Sequence, residues 1–98
     1  MKATKEQISE WKKKFGDIYE YSTDDGEHIC YLHKPSRVTL SRAGSASATD
    51  PLKYSEILIA DCWIAGDEVI KADDAYFLGL SKMLGELVEI KEGTLKKL

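Results

Sequence analysis

The stretch that decides the fold is Asp50–Asp67, which reads DPLKYSEILIADCWIAGD and holds the densest apolar material in the chain. Asp50 is a favourable N-cap, and Pro51 suits the first helical turn because an N–H at that position has no helical partner to lose. Gly66 supplies a stop signal at the other end. These signals together predict a central helix over residues 51–65.

The predicted central helix is apolar on two sides, which is typical of a helix that other elements surround. With residues placed at intervals of about 100°, its broad apolar face consists of Leu52, Leu58, Ile59, Cys62 and Trp63. A thinner apolar seam on the opposite side consists of Ile57, Ala60 and Ile64. The broad face predicts the centre of a hydrophobic core.

The thinner seam, together with Leu78 from the next predicted helix, forms the candidate interface of this protein. One interpretation buries the seam inside the monomer, beneath another helix. The other interpretation leaves it exposed as a surface for self-association or for a partner, because contiguous exposed apolar patches usually mark interfaces. The sequence leaves both interpretations open, and the oligomeric mass distinguishes them.

An N-terminal helix is predicted over residues 4–15. Thr4 and Gln7 fit a capping box, in which each side chain binds the backbone N–H of the other residue. A single apolar stripe follows at Ile8, Trp11 and Phe15. Because this stripe is narrow, the helix is expected to lie at the periphery of the fold.

Residues 17–33 predict a β-hairpin. Two short segments rich in Tyr and Ile flank an Asp-Gly pair, which is a strong signal for a type I′ turn. A two-residue loop places Tyr19 opposite Leu32, whereas a three-residue loop places Tyr19 opposite Tyr31. The sequence leaves the register open. An isolated hairpin is marginal in water, so this one must pack on helices or on another strand.

Two further helices complete the predicted fold. Ser36 caps a helix over residues 36–48, where alanines favour a helix over a flexible linker. Two aspartates begin a C-terminal helix over residues 74–90, and the charged tail 91–98 is predicted to fray. The chain is thus predicted to be a single α+β domain over residues 1–98. Its core is expected to be led by Leu58, Trp63, Phe77, Leu80 and Leu84.

Composition and charge narrow the functional classes. The net charge of -3 argues against a binder of nucleic acid or of anionic membranes, since such proteins need clustered positive charge. No apolar segment reaches the roughly 20 residues that span a bilayer, and the N-terminus shows no secretory signal. A cytoplasmic protein is therefore expected. Cys30 and Cys62 are then interpreted as buried reduced thiols, with a disulfide between them as the alternative.

No catalytic or metal-binding motif is recognised in the chain. An acidic group fits no calcium-binding loop: its members are Asp61, Asp67, Glu68, Asp73 and Asp74. His28 and His33 lie five residues apart, on opposite faces of a predicted strand, and no third ligand follows at a metal-site spacing. The sequence therefore predicts a non-enzymatic protein with no catalytic residues, no cofactor and no metal. A metal-dependent enzyme built on the acidic group is the alternative.

Two segments carry a family resemblance, namely Cys62–Asp67, which reads CWIAGD, and Asp73–Leu78, which reads DDAYFL. The pieces Gly16-Asp17-Ile18-Tyr19, Lys34-Pro35 and Asp50-Pro51 add to it, so that it covers residues 11–90. With these motifs, the chain resembles small proteins encoded in the tail modules of bacteriophages and prophages. Among these proteins it is most similar to the tail assembly chaperones of long-tailed phages.

The resemblance implies a non-enzymatic chaperone that coats the tape measure protein and helps to bring tail tube subunits to it. The expected partner is then the tape measure or tail tube protein, bound through apolar helix surfaces in the bacterial host cytoplasm. Self-association is a second expected mode. The resemblance supplies no catalytic residue and no cofactor. A small intracellular adaptor, or another virion-associated structural protein, is the alternative.

Overall fold

A computed structural model describes residues 2–98. The elements are, in chain order, α1 (Lys5–Phe15), β1 (Ile18–Ser22), β2 (Ile29–His33), α2 (Arg37–Ser47), α3 (Pro51–Cys62), β3 (Trp63–Gly66), α4 (Val69–Ala72), α5 (Asp74–Ser81) and a 3-10 turn (Leu84–Leu87). The strands form one antiparallel sheet in the order β1-β2-β3. The predicted α+β class is confirmed.

α1 begins at a complete capping box. The Thr4 hydroxyl accepts the N–H of Gln7 at 3.2 Å, and the N–H of Thr4 donates to the Gln7 side chain at 2.9 Å. From the middle of the helix, Trp11 contacts Tyr31 of β2, with their ring centroids 5.3 Å apart. No residue within Lys5–Phe15 is buried, and the predicted peripheral helix is confirmed.

The hairpin has the register predicted for a two-residue loop, with Tyr19 opposite Leu32. The turn itself is longer, since a four-residue loop is closed by the N–H of Thr23, which donates to the carbonyl of His28 at 2.9 Å. Only Gly26 has a positive φ in this loop, 77°. A type I′ turn needs two such residues, so that part of the prediction is wrong. The predicted register, with Tyr19 opposite Leu32, is still correct because the longer loop is centred on the same Asp-Gly pair.

The central helix is shorter than the predicted 51–65. α3 ends at Cys62, and the next four residues form β3, which pairs with the free edge of β2. The prediction of one hairpin alone is therefore incomplete, because a third strand extends the sheet. Pairing with β2 satisfies the backbone hydrogen bonds of β3, whose side chains are all half-buried. This long-range pairing overrides the helical pattern of the local sequence.

Gly66 allows β3 to approach β2 closely. A Cβ at this position would lie 2.4 Å from the Cα of Cys30 and 2.7 Å from the carbonyl oxygen of Ile29. Its φ of 142° is also one that other residues rarely adopt. The glycine predicted to stop a helix is therefore required by the contact between two strands.

The C-terminal helix is also shorter than the predicted 74–90. α5 ends at Ser81, and the chain then tightens to hydrogen bonds between residues three apart, such as that from the N–H of Glu86 to the carbonyl of Met83 at 3.0 Å. Glycines at positions 79 and 85 lower the helix propensity of this segment. The tighter turn keeps its first and last leucines buried. Residues 88–98 form neither helix nor strand.

The core lies between one face of the sheet and the helices that follow it. Its buried residues are Cys30, Leu32, Ala43, Leu58, Ile59, Cys62, Ile70, Leu80, Leu84 and Leu87. The three leucines predicted for the core are confirmed. Trp63 and Phe77 are only partly buried against its edge, so the prediction that they lead the core is wrong. Trp63 lies at the margin because it belongs to the edge strand β3.

The sheet is covered on both faces. The side chains that face the helical core from β1 and β2 are Tyr19, Tyr21, Cys30 and Leu32. Tyr31 points to the other face, where it is buried beneath α1. Within residues 2–98, no helix combines the length and the apolar character needed to cross a membrane.

Candidate protein-binding groove

An open groove of about 600 Å³ lies between α3 on one side and α4 and α5 on the other. Its apolar lining consists of Leu52, Ile59, Ala60, Phe77 and Leu78, and three charged side chains complete it. Ile59 is buried and forms the floor, whereas Leu52 and Leu78 each keep 50% of their surface exposed. The volume falls within the range of ligand clefts in proteins. We refer to it below as the α3/α5 groove.

The first wall of the groove follows from the way α3 begins. The Asp50 carboxylate accepts the N–H of Leu52 at 3.0 Å, and Pro51 occupies the first helical turn. This cap fixes the rotation of the helix. Positions 52, 56, 59 and 60 then fall on one side of α3, because they are separated by about one or two helical turns. One side of a single helix therefore supplies half of the lining.

The second wall is positioned by the start of α5. The Asp73 carboxylate accepts the N–H of Tyr76 at 3.1 Å and caps the helix. The Tyr76 hydroxyl donates to the carboxylate of Asp25 in the hairpin loop, which connects α5 to the sheet. Phe77 and Leu78 follow directly on this helix and face the groove. The hairpin loop thus holds the second wall in place.

The charged lining of the groove is asymmetric. Lys71 pairs with Glu68 at 2.8 Å and lies 4.3 Å from the centre of the Trp63 ring. Glu56 pairs with Lys53 at 3.2 Å. Asp74, the third charged residue, stands at the N-terminus of α5. The lining carries two carboxylates and one ammonium group, so a basic segment is the better electrostatic match for it.

Hydrogen bonds to the Asp25 carboxylate perturb two ionisable groups in the hairpin loop. The hydroxyl of Thr23 donates to it at 2.5 Å, and the Tyr76 hydroxyl and the N–H of Glu27 also donate. These bonds favour the ionised form and lower the pKa of Asp25 to about 2. The same carboxylate raises the pKa of Tyr76 to about 12. Neither group exchanges a proton readily near neutral pH. The cluster therefore serves to connect the hairpin loop to α5.

A second polar contact joins β2 to the end of β3. The Asp67 carboxylate accepts the N–H of Ile29 at 3.1 Å and lies 3.4 Å from Nδ1 of His28. The hydrogen bond from Ile29 is the main reason that the pKa of Asp67 is lowered. The His28 ring also meets the Tyr76 ring edge-on, with centroids 4.9 Å apart. These contacts fix the hairpin against the segment that leads into the groove.

Both cysteines are free and buried. Burial raises the pKa of the Cys30 thiol to about 12 and that of the Cys62 thiol to about 11. The thiolate is the reactive form of cysteine, and at neutral pH neither side chain is significantly ionised. The thiols behave as small apolar groups of the core, and the alternative of a disulfide between them is wrong.

The structure separates the five acidic residues that the sequence suggested as a metal site. Asp61 accepts hydrogen bonds from Thr39 at 3.0 Å and from Arg42. Asp67 binds β2, and Glu68 pairs with a lysine. The other two carboxylates cap α5 and line the groove. Among residues 2–98, no group of three or more His, Cys, Asp and Glu side chains is arranged to hold a metal ion.

Two of the four candidate interface residues meet in the groove. Ala60 and Leu78 face each other across it from α3 and α5. Ile57 lies outside the groove, half-buried against the core. Ile64 belongs to β3 rather than to α3, so the prediction that the seam is a single helical face is wrong. The candidate surface is therefore assembled from two helices.

The sequence reasoning missed Leu52 and Phe77 as groove residues. The helical pattern predicts Leu52 on the buried face, but it is half-exposed in the first turn of α3. The pattern predicts Phe77 inside the core, whereas it is partly buried at the edge of the core and also lines the groove. A signal was present: Leu52, Glu56 and Ala60 recur every four residues, a spacing that places them on one side of a helix.

The chain was compared with known protein families, proteins and structures. No protein-family model, no curated protein and no solved structure matches the chain. The segments Cys62–Asp67 and Asp73–Leu78 can still be placed in the structure. The first segment contains all of β3, and the second contains the N-cap and the first residues of α5, including the groove residues Phe77 and Leu78.

Proposed function

We propose that this chain is a non-enzymatic protein-binding subunit whose α3/α5 groove receives an apolar helix of another protein. The observation that carries the proposal is the pairing of Leu52 and Leu78, half-exposed on facing walls, over the buried Ile59. The two leucines line the same groove as the apolar floor, so their exposed surfaces belong to one apolar patch rather than to scattered residues. Covering them removes apolar surface from water, which is the main driving force for association.

The form of the groove favours a helical partner. It runs between two helices, and such grooves accept an amphipathic helix that inserts side chains spaced three and four residues apart. The partner is then expected to present a stripe of leucine-like residues. Basic residues beside that stripe would meet the carboxylates of Glu56 and Asp74.

The resemblance to tail assembly chaperones supplies the biological setting of the proposal. In this setting the protein acts in the cytoplasm of a bacterial host, and its partner is the tape measure protein or the tail tube protein. Tape measure proteins offer long helical segments, which are the kind of ligand that the groove geometry favours. Asp73–Leu78 contributes both to the resemblance and to the groove wall.

The direct experiment is affinity capture of a tape measure protein by this chain. The Leu78→Asp variant should lose capture, because a charge would enter the apolar contact. The matched control is Val38→Asp, which places the same charge on α2 at a residue that is 73% exposed and outside the groove. Equal capture by the wild type and both variants, with all three folded by circular dichroism, would refute the assignment of the groove.

The gene neighbourhood tests the biological setting independently. Tail assembly chaperones are often made in two lengths through ribosomal slippage near the end of the shorter reading frame. We expect a slippery run at the codons for Leu95-Lys96-Lys97, an overlapping downstream frame and a neighbouring tape measure gene. The absence of all three would contradict the chaperone assignment and leave the groove as a site for a different protein.

A further inference from the structure

β1 is an open edge of the sheet. In the order β1-β2-β3 it pairs with β2 on one side only. Ile29, which lies opposite Ser22, directs both its N–H and its carbonyl to Asp67 on the far side of β2. Bonded and non-bonded pairs alternate along an antiparallel ladder, so the backbone N–H and C=O groups of Glu20 and Ser22 point away from β2. Within residues 2–98, no hydrogen bond from another element reaches these backbone groups.

The two edges of the sheet differ in regularity. β3 forms the other edge with only four residues, and its pairing with β2 shifts register between Tyr31 and Leu32. Short and irregular edges discourage the addition of another strand. β1 pairs over five consecutive residues without a shift. β1 is therefore the edge that is better suited to accept a further strand.

A small apolar pocket of about 100 Å³ lies beside this edge, between β1 and the segment 80–87. Its apolar lining consists of Tyr19, Tyr21, Leu32, Leu80, Met83 and Leu87. Met83 keeps 47% of its surface exposed, whereas the three leucines are buried. An apolar cavity of roughly 150 Å³ holds a benzene ring, so this smaller pocket suits one aliphatic side chain. We refer to it as the edge pocket.

The edge and its pocket are acidic. Residues 17–27 contain no Lys or Arg but five carboxylates, namely Asp17, Glu20, Asp24, Asp25 and Glu27. Glu20 and Glu86 are the charged residues that line the edge pocket. The hydrogen bonds that Glu20 and Asp25 accept come from uncharged donors. The negative charge of this edge is therefore not neutralised by those contacts.

No lysine or arginine in the described part of the chain forms an ion pair with any of these carboxylates. Lys34, which follows β2, pairs with Glu89 at 3.1 Å instead. The basic run Lys12–Lys14 ends the neighbouring helix α1, and it too forms no such pair. A basic strand is thus the electrostatic match for this edge.

We propose that β1 accepts an extended segment of another protein in which apolar and basic residues alternate. Side chains of an added strand point alternately to the two faces of the sheet. A residue opposite Tyr21 then lies on the same face as the edge pocket, which receives its aliphatic side chain. Its neighbour opposite Glu20 lies on the other face, where a lysine or arginine meets the carboxylate. Backbone hydrogen bonds supply affinity, while the pocket and the charge supply specificity.

A second copy of this chain is a poor occupant of the same edge. Pairing two β1 strands would bring two acidic hairpins together, and like charges that face each other in a sheet are destabilising. The partner is therefore a different protein. This interface is independent of the proposed function, because the edge pocket and the α3/α5 groove share no lining residue.

Titration of the full chain with a synthetic peptide tests the proposal. The probe is an acetylated and amidated peptide of sequence Lys-Val-Lys-Leu-Lys-Val-Lys, and its control has the same composition with the lysines grouped at one end. Calorimetry should show binding of the alternating peptide. Replacing its central leucine by glycine should weaken binding at least about tenfold, because the edge pocket is left empty. No binding of the alternating peptide, or equal binding of the grouped control, would overturn the inference.

Two charge reversals show whether the peptide binds at this edge. Glu86→Lys should weaken binding about tenfold, because it places an ammonium group in the lining of the edge pocket. Glu56→Lys is the matched control, since it makes the same change of charge on α3 in the other groove, and it should leave peptide binding unchanged. Circular dichroism checks that both variants fold. Equal weakening by both would indicate general attraction to an acidic protein and would contradict a site at β1.

Amide hydrogen exchange tests the strand pairing itself. Peptide binding should slow exchange at the N–H groups of Glu20 and Ser22, which face the open edge, and leave Tyr19 and Tyr21 unchanged because β2 already binds them. Ser22→Pro removes one outward N–H and should weaken the peptide about fivefold, since proline is tolerated at a strand edge. Uniform protection along β1, or protection confined to α3 and α5, would overturn the inference.

Discussion

β2 and the α3/α5 groove are both rich in apolar side chains, but the fold treats them in opposite ways. On β2, Leu32 and Tyr31 are buried by elements on either face of the sheet. In the groove, Leu52 and Leu78 remain half-exposed although apolar neighbours surround them. The difference separates apolar residues that stabilise the domain from apolar residues that are available to another molecule.

The largest effect is expected where β3 meets β2. Gly66→Ala should lower the free energy of unfolding by about 4 kcal/mol, because the new Cβ clashes with the backbone of Cys30 and the φ of 142° becomes strained. Gly85→Ala is the matched control, since nothing lies within 4 Å of the position that its Cβ would occupy. Denaturant unfolding measures both. Similar stability of the two variants would show that β3 does not approach β2 this closely.

A smaller effect is expected for the two leucines that represent the two regions. Leu32→Ala should cost about 3 kcal/mol, because a buried leucine leaves a cavity. Leu52→Ala should cost less than about 1 kcal/mol, because its side chain is half-exposed already. The same unfolding measurement compares them. Equal losses would mean that the groove contributes to stability as the core does.

Trp63 lies between the two regions and should have an intermediate effect. Its ring is partly buried, against the edge of the core and beneath the Lys71 ammonium group. Trp63→Ala should therefore cost about 2 kcal/mol, less than the roughly 3–5 kcal/mol of a fully buried tryptophan. Chemical unfolding monitored by circular dichroism gives the value. A loss of about 4 kcal/mol or more would place Trp63 inside the core.

The smallest effect concerns the hairpin loop that holds the groove wall. The folded pKa of Asp25 is about 2, below its ordinary value of 3.8. Its contribution to stability is thus fully present above about pH 4 and is lost as the pH falls through about 2. Thermal unfolding between pH 5 and pH 2 should show a decline that Asp25→Asn reduces. An identical pH dependence in this variant would show that the ionised Asp25 carboxylate does not stabilise the fold.

Much of the fold could be predicted from local signals in the sequence. The capping residues Thr4, Ser36, Asp50 and Asp73 each bind the backbone N–H groups of the helix that follows. These signals are local because a cap depends on residues within one helical turn. The register of the hairpin was one of two alternatives, and the α+β class followed from the sum of the elements.

The ends of the two longest predicted helices depend on distant parts of the chain. Trp63–Gly66 continues a helical apolar pattern, but it becomes a strand because β2, more than 30 residues earlier, offers an unpaired edge. The segment after Ser81 likewise tightens in order to bury its leucines. Periodicity cannot report such demands, since it describes one element at a time.

Only part of the groove could be predicted from the sequence, for the same reason. Ala60 and Leu78 were recognised as candidates because each departs from the main apolar face of its own helix. Their meeting across a groove depends on how α3 and α5 pack, which no local pattern specifies. Leu52 was assigned to the core because its position on the helix is apolar, although the core does not extend that far.

Hydrogen exchange of the free and partner-bound protein tests the central claim most directly. If the α3/α5 groove receives the partner, amides of α3 from Leu52 to Ala60 and of α5 from Asp74 to Leu78 should exchange more slowly in the complex. Exchange along β2 should remain unchanged, because its side chains are buried already. Protection that appears along the edge of the sheet, while α3 and α5 exchange as in the free protein, would contradict the account.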